Sequence, residues 1–481
     1  MMTVERPIRT RADLRGRRAL VLGLARSGVA AARYLADAGA DVTVYDRRGA
    51  NDLADAIGDL GGRSVRLALA VAPSEAVARV EAADLLVSSP SISPRFPTTD
   101  AWLREALVAA EARGAELVSE VELFVRLTSA RIMAVTGTKG KTTTTTLLGA
   151  MLAEAGVPHE VGGNIGRPLI EVADALPRDA WAVLELSELQ LPTITRGADV
   201  AVYTNILADH LDRHGTVEAY RAVKARLAEL TAARGGDVIL NADDPASLTL
   251  GERLSGARLH WYGAAPPDGG PELAATERDG ALRLGGTPFL AVAEVPLPGA
   301  HLRADVLAAA LGATLAGVEP TAIAAAVRGF RGVRHRLETL GWRAGVRWVN
   351  DSQATIPPAS IAALEAFAPA RVVLIVGGKD KALDYRELAE RMVATCRACV
   401  LIGETAETLA RLLAGRVPAR RAATMDEAVA VAAELATAGD VVLLSPAAAS
   451  FDMFTDYAAR GDAFRAATAA IGVSPDPEAA P

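Results

Sequence analysis

Short apolar runs of strand length alternate along this chain with longer alanine-rich stretches of helical period. The runs fall at residues 19–22, 42–45 and 85–87, then at 131–135, 182–186, 200–203 and 238–240. A last set falls at 346–349, 372–376, 400–402 and 441–444. Most are continuously rich in valine, leucine and isoleucine, as expected of strands covered on both faces by helices. Strand and helix patterns in strict alternation predict βαβ units and an α/β fold of parallel sheets. The runs group into three blocks, predicted as domains at 1–118, 119–331 and 332–481. The glycine- and proline-rich stretch 263–298 interrupts the second block and reads as hairpins or loops on its edge. Beyond Val473 the chain turns to proline, alanine and glutamate and is predicted to be disordered.

At 481 residues the chain exceeds what one hydrophobic core organises, which agrees with three blocks. Aromatic residues make up only 4%, which favours helix-covered sheets over a β-sandwich. A net charge of −7 without a basic stripe argues against nucleic acid as a partner. No apolar run reaches the length of a membrane span, and the first residues are charged without a signal-peptide core. A cytoplasmic protein is therefore expected. Cys396 and Cys399 form a lone C-x-x-C. Without a second pair or paired histidines, packing inside a reducing compartment is the expected use.

The strongest local signal is Thr136-Gly-Thr-Lys-Gly-Lys-Thr-Thr143, set between a β-branched strand and an alanine- and leucine-rich helix. Gly137 and Gly140 allow N–H groups to turn inward, and the helix N-terminus adds partial positive charge. Lys141 can reach the β- and γ-phosphates, and the Thr142 hydroxyl can ligate Mg²⁺. A glycine turn with a chance lysine does not explain strand, loop and helix in this order. Further on, Glu185 ends another strand, where a carboxylate can hold Mg²⁺ beside a triphosphate. Asp209, His210 and Asp212 cluster just after the strand at 200–203, which gives His210 a metal role. Lys224 falls on an amphipathic helix, where a lysine ordinarily lies on the solvated face.

In the first block, Gly23-Leu-Ala-Arg-Ser-Gly28 follows a strand and opens a helix, as a diphosphate turn does. Ala25 stands where the dinucleotide fingerprint has its middle glycine, which weakens a nicotinamide reading. Asp46 lies about twenty residues on, where an acid can hold a ribose hydroxyl or a base.

Four motifs in order, T-G-T-x-G-K-T, E-L-S-x-x-Q-L, T-N-x-x-x-D-H-L-D-x-H-G and Y-x-x-x-K, resemble those of the Mur ligase family. The resemblance runs from the first glycine turn to Leu444-Ser-Pro446. It implies a Rossmann-like UDP-binding first domain, a central phosphate-loop ATPase-type domain and a Rossmann-like C-terminal domain. It further implies an ATP-dependent ligation through an acyl phosphate, with ATP and two Mg²⁺ ions as cofactors. The substrates would be UDP-N-acetylmuramoyl-L-alanine and glutamate, D by family default with L open, and the enzyme would be a monomer. ATP would be held by Gly137, Thr138, Lys139, Gly140, Lys141, Thr142 and Thr143, with His335, Arg336 and Asp351 from the last block. Thr142, Glu185, His210 and a carbamylated Lys224 would hold the metal. Lys141, Lys224, His210 and Arg336 would carry the catalysis.

By the same resemblance, Ala25, Arg26, Asp46, Arg47 and Ser91 would surround the uridine diphosphate. Asn164 in G-G-N-I-G, with Ser187 and Gln190, would meet the alanyl-muramoyl group. Thr355, Lys381, Ser450 and Phe451 would serve the acceptor side, Lys381 pairing a glutamate carboxylate. The chain departs from the family pattern at several places. Lys139 replaces Asn, Ser91 replaces Gly and Gln353 replaces Lys. Glu188-Leu189 replaces Ser-Phe, and Leu302 and Asp305 replace two Asn. The rivals are another Mur-type ligase, folylpolyglutamate synthetase, a nicotinamide oxidoreductase, and a nucleotide-binding regulator without turnover.

Overall fold

The protein is described by a computed structural model. It covers residues 8–475, apart from 208, 210, 255, 265–269, 297, 298, 331, 381 and 382. The chain folds as two compact units. One runs through Val295 and includes His301–Arg328; the other comprises Pro296–Ala300 and the chain from Gly329.

The first unit holds two sheets. β1 (Arg18–Leu22), β2 (Asp41–Asp46), β3 (Val65–Leu69), β4 (Leu85–Ser88) and β5 (Glu116–Ser119) form the first, in the order β3-β2-β1-β4-β5. All its pairings are parallel. The order reverses between β1 and β4, so the loops after them open a crevice at their carboxyl ends.

The second sheet has nine strands: β6 (Arg131–Thr136), β7 (His159–Gly163), β8 (Trp181–Glu185), β9 (Val200–Tyr203), β10 (Asp237–Asn241), β11 (Arg258–Gly263), β12 (Leu273–Arg278), β13 (Ala281–Leu284) and β14 (Thr287–Ala291). Their order is β14-β13-β12-β11-β10-β9-β6-β8-β7. β12 to β14 are antiparallel hairpins on the sheet's edge, as the glycine- and proline-rich stretch predicts. β6 lies between β8 and β9, so the loop after β6 is flanked by Glu185 on one side and Thr204 on the other.

The two sheets share a core. Val21, Val44 and Leu85 of the first cluster with Ile132, Leu184 and Tyr203 of the second. Two buried acids of the helix Glu120–Leu127 reinforce the join. Glu120 accepts the Ile170 N–H at 2.9 Å, and Glu122 accepts the Thr195 N–H at 3.0 Å and Arg126 Nε at 2.5 Å.

The second unit carries β15 (Glu338–Arg343), β16 (Val346–Asn350), β17 (Val372–Gly377), β18 (Cys396–Ile402), β19 (Ala419–Arg421) and β20 (Val441–Leu444). They are ordered β15-β16-β20-β17-β18-β19, and only the β15–β16 pair is antiparallel. The parallel ends of β16, β20 and β17 bring Asp351, Ser445 and Gly378 to one rim. Cys396 and Cys399 are buried and unbridged. A register shift at Arg397 sets them opposite Val372 and Leu374, and so on one face.

The predicted disorder beyond Val473 is corrected at Ser474. Its N–H and C=O both bond Trp342, at 3.0 and 2.7 Å, adding a rung to β15. Residues 476–481 lie outside the described residues.

Candidate active site

The chain leaves β6 at Thr136, turns through Gly137–Gly140 and enters the helix Lys141–Glu154. Gly140 is the pivot. Its φ is +86°, and a Cβ there would stand 2.2 Å from a carboxylate oxygen of Asp305, so only glycine fits. Thr204 and Asn205, just after β9, hold the loop from beside it. Asn205 accepts the Lys139 N–H at 3.0 Å, its carbonyl accepts the Thr138 N–H at 2.8 Å, and Thr204 Oγ1 donates to the Lys139 carbonyl at 2.5 Å. Lys141 Nζ arches back to the carbonyls of Gly137 and Thr138, each at 2.9 Å. Lys139 pairs with Asp209 at 3.2 Å.

Beneath the loop, Thr142 Oγ1 donates to Glu185 at 2.7 Å, and Asn164 Nδ2 donates to the other carboxylate oxygen at 2.9 Å. Glu185 is 1% exposed, these two neutral donors are its side-chain hydrogen-bond partners among the described residues, and Lys224 interacts with it electrostatically. A buried carboxylate so placed has the chemistry to accept a hard cation.

Lys224 does not lie on the solvated face ordinary for a helix lysine. The helix Val217–Ala233 turns it inward, at 0% exposure, with Nζ donating to the Gly137 carbonyl at 2.9 Å and to Thr136 Oγ1 at 3.2 Å. Burial, then Lys141, draws its pKa down to about 7 against the pull of Glu188, Glu185 and Asp209. Tyr220, one turn earlier, bonds Thr138 Oγ1 at 3.0 Å. His210 lies outside the described residues. Among those described, no three His, Cys, Asp or Glu side chains gather to hold a metal. Of the residues expected to hold the metal, the structure describes Thr142, Glu185 and Lys224, the last expected to do so only as its carbamate.

Two cavities open at the loops after β1 and β4. One of about 240 Å³ runs from Gly23, Ala25, Arg26 and Ser89 to Gly163, Asn164 and Gln190. Gln190 accepts both the N–H and the hydroxyl of Ser187, at 3.0 and 3.1 Å. The second, about 530 Å³, is lined by Ala25, Asp46, Arg47, Ser91 and Arg213 among others. Asp46 accepts the Leu24 N–H at 2.8 Å and pairs with Arg48. Burial pushes its carboxyl up, but Arg48 and the Leu24 N–H outweigh this and hold it at about 2. The crevice at the β1–β4 switch thus meets the phosphate loop through Asn164. Thr143, the last loop residue, is buried in the helix.

In the second unit, His335 and Leu337 both have positive φ, +63° and +45°, and Arg336 stands between them. Positive φ on either side of Arg336 marks a strained turn, and the Arg336 side chain within it is half-buried. Arg336 makes no side-chain hydrogen bond among the described residues, and its charge acts on the buried carboxyl of Asp351. His335 is only 4% exposed, with Nδ1 3.1 Å from Asn350 Nδ2, so it braces the turn. Asp351 accepts the Leu337 N–H at 3.1 Å and the Ser445 hydroxyl at 2.8 Å, and burial raises its carboxyl to about 7. Thr355 is half-buried on the loop after Asp351. Ser450 is buried, whereas Phe451 is 68% exposed beside it. Lys381 lies outside the described residues.

Thr204, Asn205, Tyr220 and Arg213 were given no role from the sequence. Their signal lay in the T-N, Y-x-x-x-K and D-x-H-G motifs, but only the fold shows them touching the loop or the larger cavity.

A phosphate loop at the switch point of a parallel sheet, with a buried acid and a buried lysine under it, defines a nucleoside-triphosphate-binding α/β protein. Residues 135–313 match the Mur ligase middle domain, and residues 335–448 match the Mur ligase glutamate ligase domain. Over 94% of this chain and 97% of the relative, the sequence is 42% identical to UDP-N-acetylmuramoylalanine–D-glutamate ligase of Solibacter usitatus. The enzyme of the same description from Acidobacterium capsulatum is 42% identical, over 94% of this chain and 96% of its own length. The fold resembles that of UDP-N-acetylmuramate-alanine ligase MurC from Thermotoga maritima. The TM-score is 0.57 at 18% identity, covering 94% of this chain and 99% of that one. This chain belongs to the Mur ligase family, and ATP use follows from that membership.

Proposed function

We propose that the chain joins D-glutamate to UDP-N-acetylmuramoyl-L-alanine at the expense of ATP, a step in peptidoglycan precursor synthesis. The observation that carries the reading is the chain of contacts Thr142–Glu185–Asn164. It links the phosphate loop to the cavity that reaches the first glycine turn. The named activity of the relatives supplies the substrates. The three blocks 1–118, 119–331 and 332–481 serve the UDP substrate, ATP and glutamate respectively. The enzyme works as a monomer in the cytoplasm.

The uridine diphosphate is assigned to the cavity lined by Ala25, Asp46, Arg47 and Ser91, with Arg26 near the diphosphate. Asn164, Ser187 and Gln190 orient the alanyl-muramoyl end. The alanine carboxylate attacks the γ-phosphorus of ATP, ADP leaves, and an acyl phosphate forms. The glutamate amine then attacks the acyl carbon, phosphate leaves, and the nitrogen loses a proton. No protein nucleophile is needed. Catalysis is charge stabilisation and positioning. Loop N–H groups and Lys141 offset charge on the phosphates, as does the fixed fork of Arg336. Asp351 and its loop hold the ribose. Lys381 and the Ser450–Phe451 loop receive glutamate, with Thr355 nearby.

The oxygen donors Thr142 and Glu185 suit Mg²⁺, a hard cation. His210 and Lys224, the latter as its carbamate, complete the set for two ions. A bound Mg²⁺ would supply neutralisation of phosphate charge there.

The test is phosphate release by the purified chain with ATP, Mg²⁺, UDP-N-acetylmuramoyl-L-alanine and either D- or L-glutamate. Release that requires both acceptor and donor, with D-glutamate preferred, is expected. Release without the UDP substrate, or none with the full set, defeats the reading.

A further inference from the structure

The helix Tyr457–Ala470 carries no motif read from the sequence, yet its first turns touch the loops of the second unit assigned to ligands. Arg460 lies at 1% exposure. Its Nε donates to Ser352 Oγ at 3.0 Å and its Nη2 to the Ser352 carbonyl at 2.9 Å. Its Nη1 donates to the carbonyls of Ala448 and Ala449, at 3.0 and 3.2 Å. The Ala449 carbonyl also accepts the Lys379 N–H at 2.8 Å. One guanidinium thus joins the loop after β16, the loop after β20 and, through a shared carbonyl, the turn after β17.

Neighbouring residues complete the seat. Gly461 packs so closely on His335 that a Cβ would stand 2.1 Å from Nδ1, and its carbonyl accepts Asn350 Nδ2 at 3.1 Å. Asp462 pairs with Arg334 at 2.6 Å. A buried charge is a poor means of simply anchoring a helix, because an apolar side chain of similar volume does as well or better. A rigid planar fork that matches several carbonyls at once is what positioning requires. Asp452 is the acid that acts electrostatically on Arg460, so the guanidinium's hydrogen bonds go to neutral backbone and hydroxyl acceptors.

We infer that Arg460 is a positioning residue that locks the nucleotide-side loop at Asp351–Ser352 to the amino-acid-side loops at Ala449–Ser450 and Lys379. The two ligands are then presented as one rigid set, and loosening the lock weakens both together. This inference rests on the proposed function.

The experiment is steady-state kinetics of the full chain as wild type, Arg460→Met, Arg460→Lys and Ser352→Ala, each checked by circular dichroism. In Arg460→Met, KM for ATP and KM for D-glutamate are expected to rise together, about tenfold or more. KM for UDP-N-acetylmuramoyl-L-alanine stays within about twofold, since that substrate is assigned to the other unit. Arg460→Lys recovers part of both losses, and Ser352→Ala shows the same paired rise at smaller size. A fall in kcat alone, or a rise in only one of the two KM values, overturns the inference. If Arg460→Met does not fold, the Lys and Ala variants decide by the same criterion. Failure of the wild type to ligate sinks the functional reading. Normal wild-type ligation with unmoved KM values in the variants sinks only this inference.

Discussion

Lys224 Nζ stands 2.9 Å from the carbonyl of Gly137, under the loop assigned to the triphosphate. With its pKa drawn to about 7, much of it is a neutral amine at pH 7–8, able to add CO₂ and release a proton. Below pH 7 the ammonium form takes over and cannot react. Ligation should therefore fall in CO₂-depleted buffer and recover with bicarbonate, and labelled bicarbonate should give a carbamate carbon signal by NMR. Lys224→Arg keeps a cation but cannot form the carbamate, and should lower kcat by about 100-fold or more. Undiminished turnover in that variant would exclude the modification.

Glu185 is the buried acid beneath the loop. Glu185→Gln places an amide N–H against one of the donors Thr142 and Asn164, and removes the charge a cation needs. The Mg²⁺ concentration for half-maximal rate should rise about 10- to 100-fold. Titrating Mg²⁺ at saturating ATP measures it, and an unchanged midpoint removes Glu185 from the metal set.

Arg336 sits half-buried between two residues of positive φ. Arg336→Lys keeps the charge but loses the fork. The expected result is a fall in kcat of about 100-fold with KM for ATP changed far less, the pattern of a contact made chiefly in the transition state. A rise in KM alone would place Arg336 in ground-state binding.

Glu120 gives a pH-dependent stability. Burial raises its carboxyl to about 7 from an ordinary 4.5. Between those values the folded state holds a proton that the unfolded chain releases, so the wild type loses stability as pH rises through this window. Glu120→Gln keeps an acceptor for the Ile170 N–H and carries no charge. Its advantage should be small at pH 4.5, grow with pH and level off above 7, reaching at most about 3 kcal/mol. Thermal melts at pH 5 and 8 test the sign: a variant favoured more at pH 5 would contradict it.

What the sequence disclosed depended on how local each signal was. The phosphate loop was legible because strand, glycines, lysine and helix lie within one short stretch. The strands at the centres of the sheets announced themselves as unbroken apolar runs. The edge strands β3, β7 and β19 did not, since Arg66, His159 and Arg420 sit at positions open to water or partly so. Lys224 was opaque to periodicity alone, because nothing local says that its helix face meets the phosphate loop; the family resemblance supplied that. Arg460 was opaque altogether. One of its partners, Ser352, is over a hundred positions away, and an arginine on a helix ordinarily signals solvent.

The common core of the first two sheets, pinned by Glu120 and Glu122 across their seam, has a consequence for selectivity. The crevice at Gly23 and the bend at Gly137 are held at a set span, as the jaws of a caliper locked at one opening. A donor gripped at its uridine end is thereby measured, and a carboxylate one bond too near or too far would miss the phosphorus. On the proposed assignment of the uridine site, reach as well as chemical complementarity would select the nucleotide-linked acid.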